Sequence, residues 1–160
     1  MPKKIYIISG AIVSVLIAQM AGVIGSFFTA ANIQTWYVFL EKPAFAPPNW
    51  LFAPAWITLY TLMGIAAFLI WQKRETAGAK PALYFYCSQL VLNALWSVAF
   101  FGLQNPFLGF LVIIVLWLLI LLTLLKFWKI ERTAGLLFIP YILWVSFAAI
   151  LNLTVWQLNV

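Results

Sequence analysis

The stretch Phe107–Phe127, FLGFLVIIVLWLLILLTLLKF, decides the fold of this chain. Its only charge is Lys126, next to its C-terminal end. A helix rises about 1.5 Å per residue, so about 20 apolar residues cross the ~30 Å hydrocarbon core of a bilayer. Helices buried in soluble proteins rarely run this long without a charge. The stretch therefore predicts a transmembrane helix.

Four further apolar stretches of similar length accompany it. Of the 160 residues, 66% are apolar and 8% are charged, which is more apolar surface than a soluble domain of this size can bury. In lipid, helices satisfy their own backbone hydrogen bonds. We therefore predict an all-α fold, a polytopic membrane protein in which residues 1–160 form one domain, a bundle of five transmembrane helices. The other four spans are Ile5–Phe28, Leu51–Trp71, Ala82–Phe101 and Ala134–Trp156.

Basic residues between the spans predict the orientation. With five spans, the N-terminus, the second loop and the fourth loop share one side, and the opposite side carries only Lys42. The positive-inside rule then predicts a cytoplasmic N-terminus. We expect the membrane to be a bacterial-type cell membrane. The bases are scattered over short segments, so the net charge of +6 predicts no nucleic-acid partner. The bases on the first side are Lys3, Lys4, Lys73, Arg74, Lys80, Lys126, Lys129 and Arg132.

The N-terminus, Met1–Lys4 followed by an apolar run, resembles a signal peptide. The run is about 24 residues, longer than the usual apolar region of such peptides, and no convincing cleavage site follows it. We expect it to remain as the first span.

Missing residue types limit the chemistry. The chain has no histidine and no aspartate, and its three acids, Glu41, Glu75 and Glu131, lie in predicted loops. These absences exclude a hydrolase triad, a carboxylate proton relay inside the membrane and imidazole ligation of haem. We expect neither a metal nor a cofactor, and enzymatic activity stays open.

Small residues recur every fourth position along the first helix and so share one face. Such a ridge lets two helix backbones approach closely in lipid. The ridge predicts either tight packing inside the bundle or a dimer seam. Its members are Gly10, Ser14, Ala18, Gly22 and Ser26.

The first loop, predicted over residues 29–49, is too long for a simple connector. Its prolines restrict the backbone, so we expect it to be ordered. It is either a lid over the mouth of the bundle or an aromatic belt at the headgroups. Its aromatic residues and prolines include Trp36, Tyr37, Phe39, Pro43, Phe45, Pro47 and Pro48.

Three helices place aromatic and amide side chains on one face. Amide side chains inside membrane spans usually face away from lipid. They either form interhelical hydrogen bonds or line a cavity that could hold a flat aromatic ligand. The fourth helix is nearly all aliphatic from Leu111 to Leu125, with Trp117 and Thr123 as exceptions, and shows no cavity face, so we expect it to meet lipid or another subunit. The faces comprise Trp56, Tyr60, Met63, Gly64 and Ala67; Gln89, Asn93, Trp96 and Phe100; and Trp144, Ala148, Leu151, Asn152 and Val155.

Motifs along nearly the whole chain resemble the tryptophan-rich sensory protein and translocator protein (TspO/MBR) family, formerly called the peripheral benzodiazepine receptor. The resemblance implies a five-helix bundle, commonly a homodimer, with a pocket that the first loop closes. The motifs are Trp36-Tyr37, Leu40-Glu-Lys-Pro43, Phe45-Ala-Pro-Pro48, Trp56, Leu59-Tyr60, Gln89-Leu-Val-Leu-Asn93, Pro140-Tyr141, Trp144 and Leu151-Asn152.

The resemblance also implies ligands and site residues. Family members bind porphyrins, synthetic isoquinolines or benzodiazepines and, in animals, cholesterol. The animal cholesterol motif lacks its Tyr and Arg here, because the corresponding stretch is Asn152–Gln157. The implied pocket residues are Ser26, Tyr37, Pro47, Pro48, Phe52, Ala53, Trp56, Asn93, Trp96, Trp144, Ala148 and Leu151.

The expected function is a membrane receptor or transport protein that binds protoporphyrin IX and similar apolar aromatic ligands. The alternative is an enzyme that degrades protoporphyrin IX with light and oxygen, with Trp56 and Trp144 as candidate catalytic residues. The expected partners are the ligand, the lipid bilayer and a second copy of the chain.

Overall fold

Five long helices make up the fold in the computed structural model, which describes residues 2–160, with side chains from Ile5 onward. All five are long and apolar enough to cross a membrane, and residues 2–160 contain no strand. The all-α five-helix prediction is confirmed. The side chains of Lys3 and Lys4, used in the orientation argument, lie outside the described residues. The helices are α1 Pro2–Ile33, α2 Phe52–Gln72, α3 Ala79–Ser97, α4 Pro106–Ile130 and α5 Arg132–Leu158.

The first loop is shorter than predicted because α1 continues beyond Phe28 to Ile33. In this extra turn, Thr29 Oγ1 donates to the Gly25 carbonyl and Asn32 Nδ2 donates to the Phe28 carbonyl, at 3.2 and 3.0 Å. Hydropathy locates the apolar part of a helix that lies in lipid. It does not detect a more polar last turn, in which side chains donate hydrogen bonds to carbonyls of the preceding turn. The connection to α2 is therefore residues 34–51, with short 3₁₀ turns at Tyr37–Phe39 and Asn49–Leu51.

The remaining connections are short. Asn105 caps α4 by accepting the Leu108 backbone N–H at 2.9 Å. Glu131 alone joins α4 to α5 and pairs with Lys73, so the second and fourth loops lie at the same end of the bundle, as predicted. The hydrogen bond from Lys73 holds the pKa of Glu131 below its ordinary value.

The ridge of small residues on α1 packs against α2 within the same chain. Ser14 Oγ donates to the Gly64 carbonyl at 2.7 Å, and Ala18 is fully buried. The space beside Gly22, where a side chain would stand, is filled by the ring of Tyr60. The ridge therefore serves tight packing inside the bundle. Ser26, its last member, is exposed instead.

One stripe of α4 is buried, and much of its remaining surface is exposed. Phe100, in a π-helical turn that follows α3, packs beside Gly109 at one end of this stripe. The stripe follows the three- and four-residue spacing of a helix face. The buried members are Gly109, Ile113, Leu116, Ile120, Thr123 and Phe127.

Candidate ligand-binding cavity

A cavity of about 430 Å³ lies among α1, α2, α3 and α5, beneath the first loop. Among the described residues that line it, none is charged and none belongs to α4. Its volume is within the usual range for small-molecule sites. Ten of the twelve predicted pocket residues line it, all except Pro47 and Pro48: Ser26, Tyr37, Phe52, Ala53, Trp56, Asn93, Trp96, Trp144, Ala148 and Leu151.

Pro47 and Pro48 do not line the cavity but lie in the chain that leads to α2. Pro48 is extended, with φ −62° and ψ 145°, and directly precedes the 3₁₀ turn Asn49–Leu51. Its carbonyl accepts the Leu51 N–H at 3.0 Å. A proline ring fixes φ near this value. The prolines therefore set the angle at which the chain enters α2.

The first loop covers one end of the cavity. Tyr37 is buried, and its ring packs against Phe100 and Phe101 with centroid distances of 6.1 and 5.5 Å. Burial also raises the pKa of the Tyr37 hydroxyl above its ordinary value. Phe39 and Trp50 are exposed. The loop therefore places Tyr37 on the cavity wall and other aromatic rings on the outside, and its predicted roles, a lid or an aromatic belt at the headgroups, stay predictions.

Two polar residues hold the loop in place. Lys42 Nζ donates to the carbonyls of Tyr37 and Leu40 at 2.9 and 2.7 Å. At the end of α5, Asn159 accepts the Glu41 N–H and donates to the Glu41 carbonyl, both at 2.9 Å. The first loop is thus held by hydrogen bonds within itself and by hydrogen bonds to Asn159, directly after α5.

Tryptophans from three helices form much of the cavity wall. Trp56 of α2 stacks on Tyr60 at 5.5 Å. Trp144 of α5 meets Phe52 edge to face at 6.0 Å. The indole of Trp96, on α3, donates to Asn152 Oδ1 at 3.0 Å. The indole N–H groups of Trp56 and Trp144 have no hydrogen-bond partner among the described residues.

A chain of buried hydrogen bonds forms the cavity floor. The Tyr60 hydroxyl donates to Asn93 Oδ1, and Asn93 Nδ2 donates to the Tyr141 hydroxyl at 2.9 Å. That hydroxyl donates in turn to Gln89 Oε1 at 2.8 Å. Asn93 therefore lines the cavity while its amide joins α2, α3 and α5. The two roles proposed for the buried amides coexist in this residue.

Comparison with known proteins agrees with this architecture. Residues 14–157 match the model of the TspO/MBR family. The chain belongs to this family. The matched segment includes every element that lines the cavity, so the TspO/MBR resemblance covers the site as well as the fold.

TspO/MBR relatives are similar over most of their lengths. "Tryptophan-rich protein TspO" of Archaeoglobus fulgidus is 44% identical over 148 residues, 92% of this chain and 95% of that protein. "Tryptophan-rich sensory protein" of Cereibacter sphaeroides is 40% identical over 124 residues, 78% and 77% of the two chains. "Translocator protein" of Homo sapiens is 32% identical over 138 residues, 85% and 82% of the two chains. This chain is therefore a multi-pass membrane protein of the TspO/MBR family.

Sequence reasoning missed the contribution of α1 to the site of this TspO/MBR protein. The ridge suggested helix packing, and only Ser26 was assigned to the pocket. Gln19, a lone amide within an apolar run, was the available signal, because amides in spans turn away from lipid. The residues of α1 that line the cavity without having been predicted are Gln19, Gly22, Val23, Gly25, Thr29 and Ile33.

Proposed function

We propose that this protein is a membrane receptor or transport protein that binds a tetrapyrrole such as protoporphyrin IX. The observation that carries the proposal is the convergence of Trp56, Trp96 and Trp144, from three helices, on one lidded cavity. Indole rings provide large flat surfaces that stack on aromatic ligands. A planar macrocycle could therefore stack on the indole rings of the cavity wall.

The lining favours a metal-free ligand with its acidic groups at the rim. The chain has no histidine, so imidazole cannot ligate haem iron. Among the described residues, the lining offers carboxylates no cationic partner. Burying an unpaired carboxylate is costly. The propionates of a porphyrin would therefore remain at the water-facing edge, with the macrocycle inside.

Trp144→Phe tests the proposed site. We expect the affinity for protoporphyrin IX to fall roughly 3- to 10-fold, because the smaller ring loses stacking area and the indole N–H. The measurement is a titration in detergent, followed by tryptophan fluorescence and by porphyrin absorbance. Trp71→Phe is the matched control, since Trp71 is exposed at the other end of α2 and does not line the cavity. Equal affinities in the two variants would contradict the site.

A light-driven activity is the second candidate function. The observation that favours it is the free indole N–H of both Trp56 and Trp144 on the cavity wall, where an excited porphyrin can oxidise an indole. Among the described residues, the cavity lining contains no carboxylate, amine or imidazole, so light, oxygen and the indoles would have to provide the chemistry. We expect a Trp56→Phe, Trp144→Phe variant, saturated with protoporphyrin, to yield less cleaved product under illumination by mass spectrometry. Equal bleaching by native and variant protein would exclude catalysis by these residues.

We also propose a cytoplasmic N-terminus in a bacterial-type cell membrane and a second copy of this chain as a partner. The excess of basic residues on one side supports the orientation. The family resemblance supports the dimer. Exposed aliphatic side chains on α4, such as Leu118 and Leu122, are available to lipid or to that second copy.

A further inference from the structure

We propose that the ligand enters and leaves the cavity sideways, from the lipid acyl chains, through a window between α1 and α2, while the first loop stays closed. The window is defined by Val23 and Ser26 of α1 and by Ala53 and Ile57 of α2. This inference rests on the proposed function, because it concerns how that ligand reaches the same cavity.

All four window residues line the cavity and are also exposed. Val23 and Ile57 keep 54% and 58% of their surface exposed. Tyr60 and Asn93 line the same cavity and are buried, so facing the cavity does not by itself make a residue exposed. The joint exposure of residues from two neighbouring helices therefore marks an opening between them.

The course of α1 explains the opening. Up to Gly22, which faces the ring of Tyr60, α1 packs on α2. One turn later Gly25 faces α3 instead, where an added Cβ would lie 2.9 Å from Ser97 Oγ. At both positions the absence of a side chain lets α1 approach its neighbour closely. Beyond Gly22, α1 packs on α3 and diverges from α2, and this divergence leaves the gap between α1 and α2.

Hydrogen bonds close the lower edge of the window. Gln19 Nε2 donates to the Ile57 carbonyl at 2.9 Å and to Thr61 Oγ1 at 3.1 Å, joining α1 to α2 below the gap. Ser26 Oγ donates to the Val23 carbonyl at 2.7 Å, so its hydroxyl is already satisfied. The window therefore presents mainly an apolar rim.

The window lies at the depth of the acyl chains. Val23 is five residues from Phe28 and Ala53 is two residues from Leu51, the ends of the apolar stretches that the sequence predicts to lie in lipid. At about 1.5 Å per residue, the rim lies about 3–9 Å inside those ends. The opening therefore faces lipid, and it admits molecules that partition into the bilayer.

The alternative route, through the loop, is held shut by specific contacts. Lifting the lid breaks both hydrogen bonds between Asn159 and Glu41 and withdraws Tyr37 from Phe100 and Phe101. Exchange through the window breaks none of these contacts. The structure thus favours the side route over the lid.

Ala53→Phe tests the window, with Thr58→Phe as its control. Both positions are exposed on α2, and Thr58 does not line the cavity. A bulky ring in the window raises the barrier to entry and to exit alike. We expect both rate constants for protoporphyrin in lipid nanodiscs, for binding and for release, to fall at least tenfold in Ala53→Phe, whereas damage to the pocket itself would speed release. Thr58→Phe should match the native protein in stopped-flow quenching.

Two further variants complete the test. Ser26→Phe places a bulky ring in the window from the α1 side and should slow ligand exchange in the same way. It keeps the window testable if Ala53→Phe does not fold. Asn159→Ala releases the lid and should leave the rates unchanged within twofold. Faster exchange in Asn159→Ala, or native rates in both window variants, would overturn the window. Absence of porphyrin binding by the native protein would instead overturn the proposed function.

Discussion

Gly64→Ala is expected to destabilise the bundle by about 3 kcal/mol. A Cβ added at Gly64 would lie 2.5 Å from Cα of Val15 and 2.9 Å from its backbone nitrogen. Backbone atoms cannot move aside without moving the helix, so α1 and α2 would have to separate. That separation would also stretch the 2.7 Å hydrogen bond from Ser14 to the Gly64 carbonyl. Unfolding of the purified protein in increasing SDS, followed by circular dichroism, measures the change.

Gly10→Ala is the matched control for this prediction. It makes the same substitution at the same helix interface, but the nearest atom is Cε2 at the end of the Phe68 ring, 2.6 Å away. A ring can turn aside at low cost. Both variants gain about 1 kcal/mol of helix propensity, so that contribution cancels in the comparison. Equal stabilities for the two variants would show that close backbone approach at Gly64 does not limit the packing.

The architecture could be predicted because lipid leaves little choice of backbone structure. Five long apolar runs fix five helices, and the spacing of Trp56, Asn93 and Trp144 fixes which faces turn inward. The buried stripe of α4 could not be predicted. Thr123 is the one polar residue from Leu111 to Leu125 and lies in the buried stripe, but a single position does not define a helix face, and the other positions are almost equally apolar.

Features that depend on the relative positions of helices also could not be predicted from the sequence. Asn159 and Glu41 are 118 residues apart, and nothing local to either residue indicates that they bond. The window between α1 and α2 exists because α1 moves from one neighbour to another within one turn. Ser26 was predicted as a pocket residue from the resemblance, but its place at an opening follows only from three-dimensional packing.

Tyr141→Phe is expected to destabilise the protein by about 2 kcal/mol. The Tyr141 hydroxyl accepts from Asn93 Nδ2 at 2.9 Å and donates to Gln89 Oε1 at 2.8 Å. Removing it leaves the buried atoms Asn93 Nδ2 and Gln89 Oε1 each without a partner among the described residues, and an unpaired buried group costs about 1–3 kcal/mol. Ligand affinity should also fall, because Trp56 packs against the Tyr141 ring at 6.2 Å and that ring loses its tether. The same SDS unfolding and porphyrin titrations provide both measurements.

Tyr86→Phe makes the same substitution at a second buried tyrosine, and we expect the opposite sign. The Tyr86 hydroxyl has no hydrogen-bond partner among the described residues, while its ring stacks on Phe127 at 6.0 Å. Phenylalanine keeps that stacking and removes a buried polar atom that gains nothing in return. The variant should be as stable as the native protein, or more stable by up to about 1 kcal/mol, with unchanged porphyrin affinity. A loss of stability equal to that of Tyr141→Phe would mean that the hydrogen-bonded floor contributes no more than any buried phenol does.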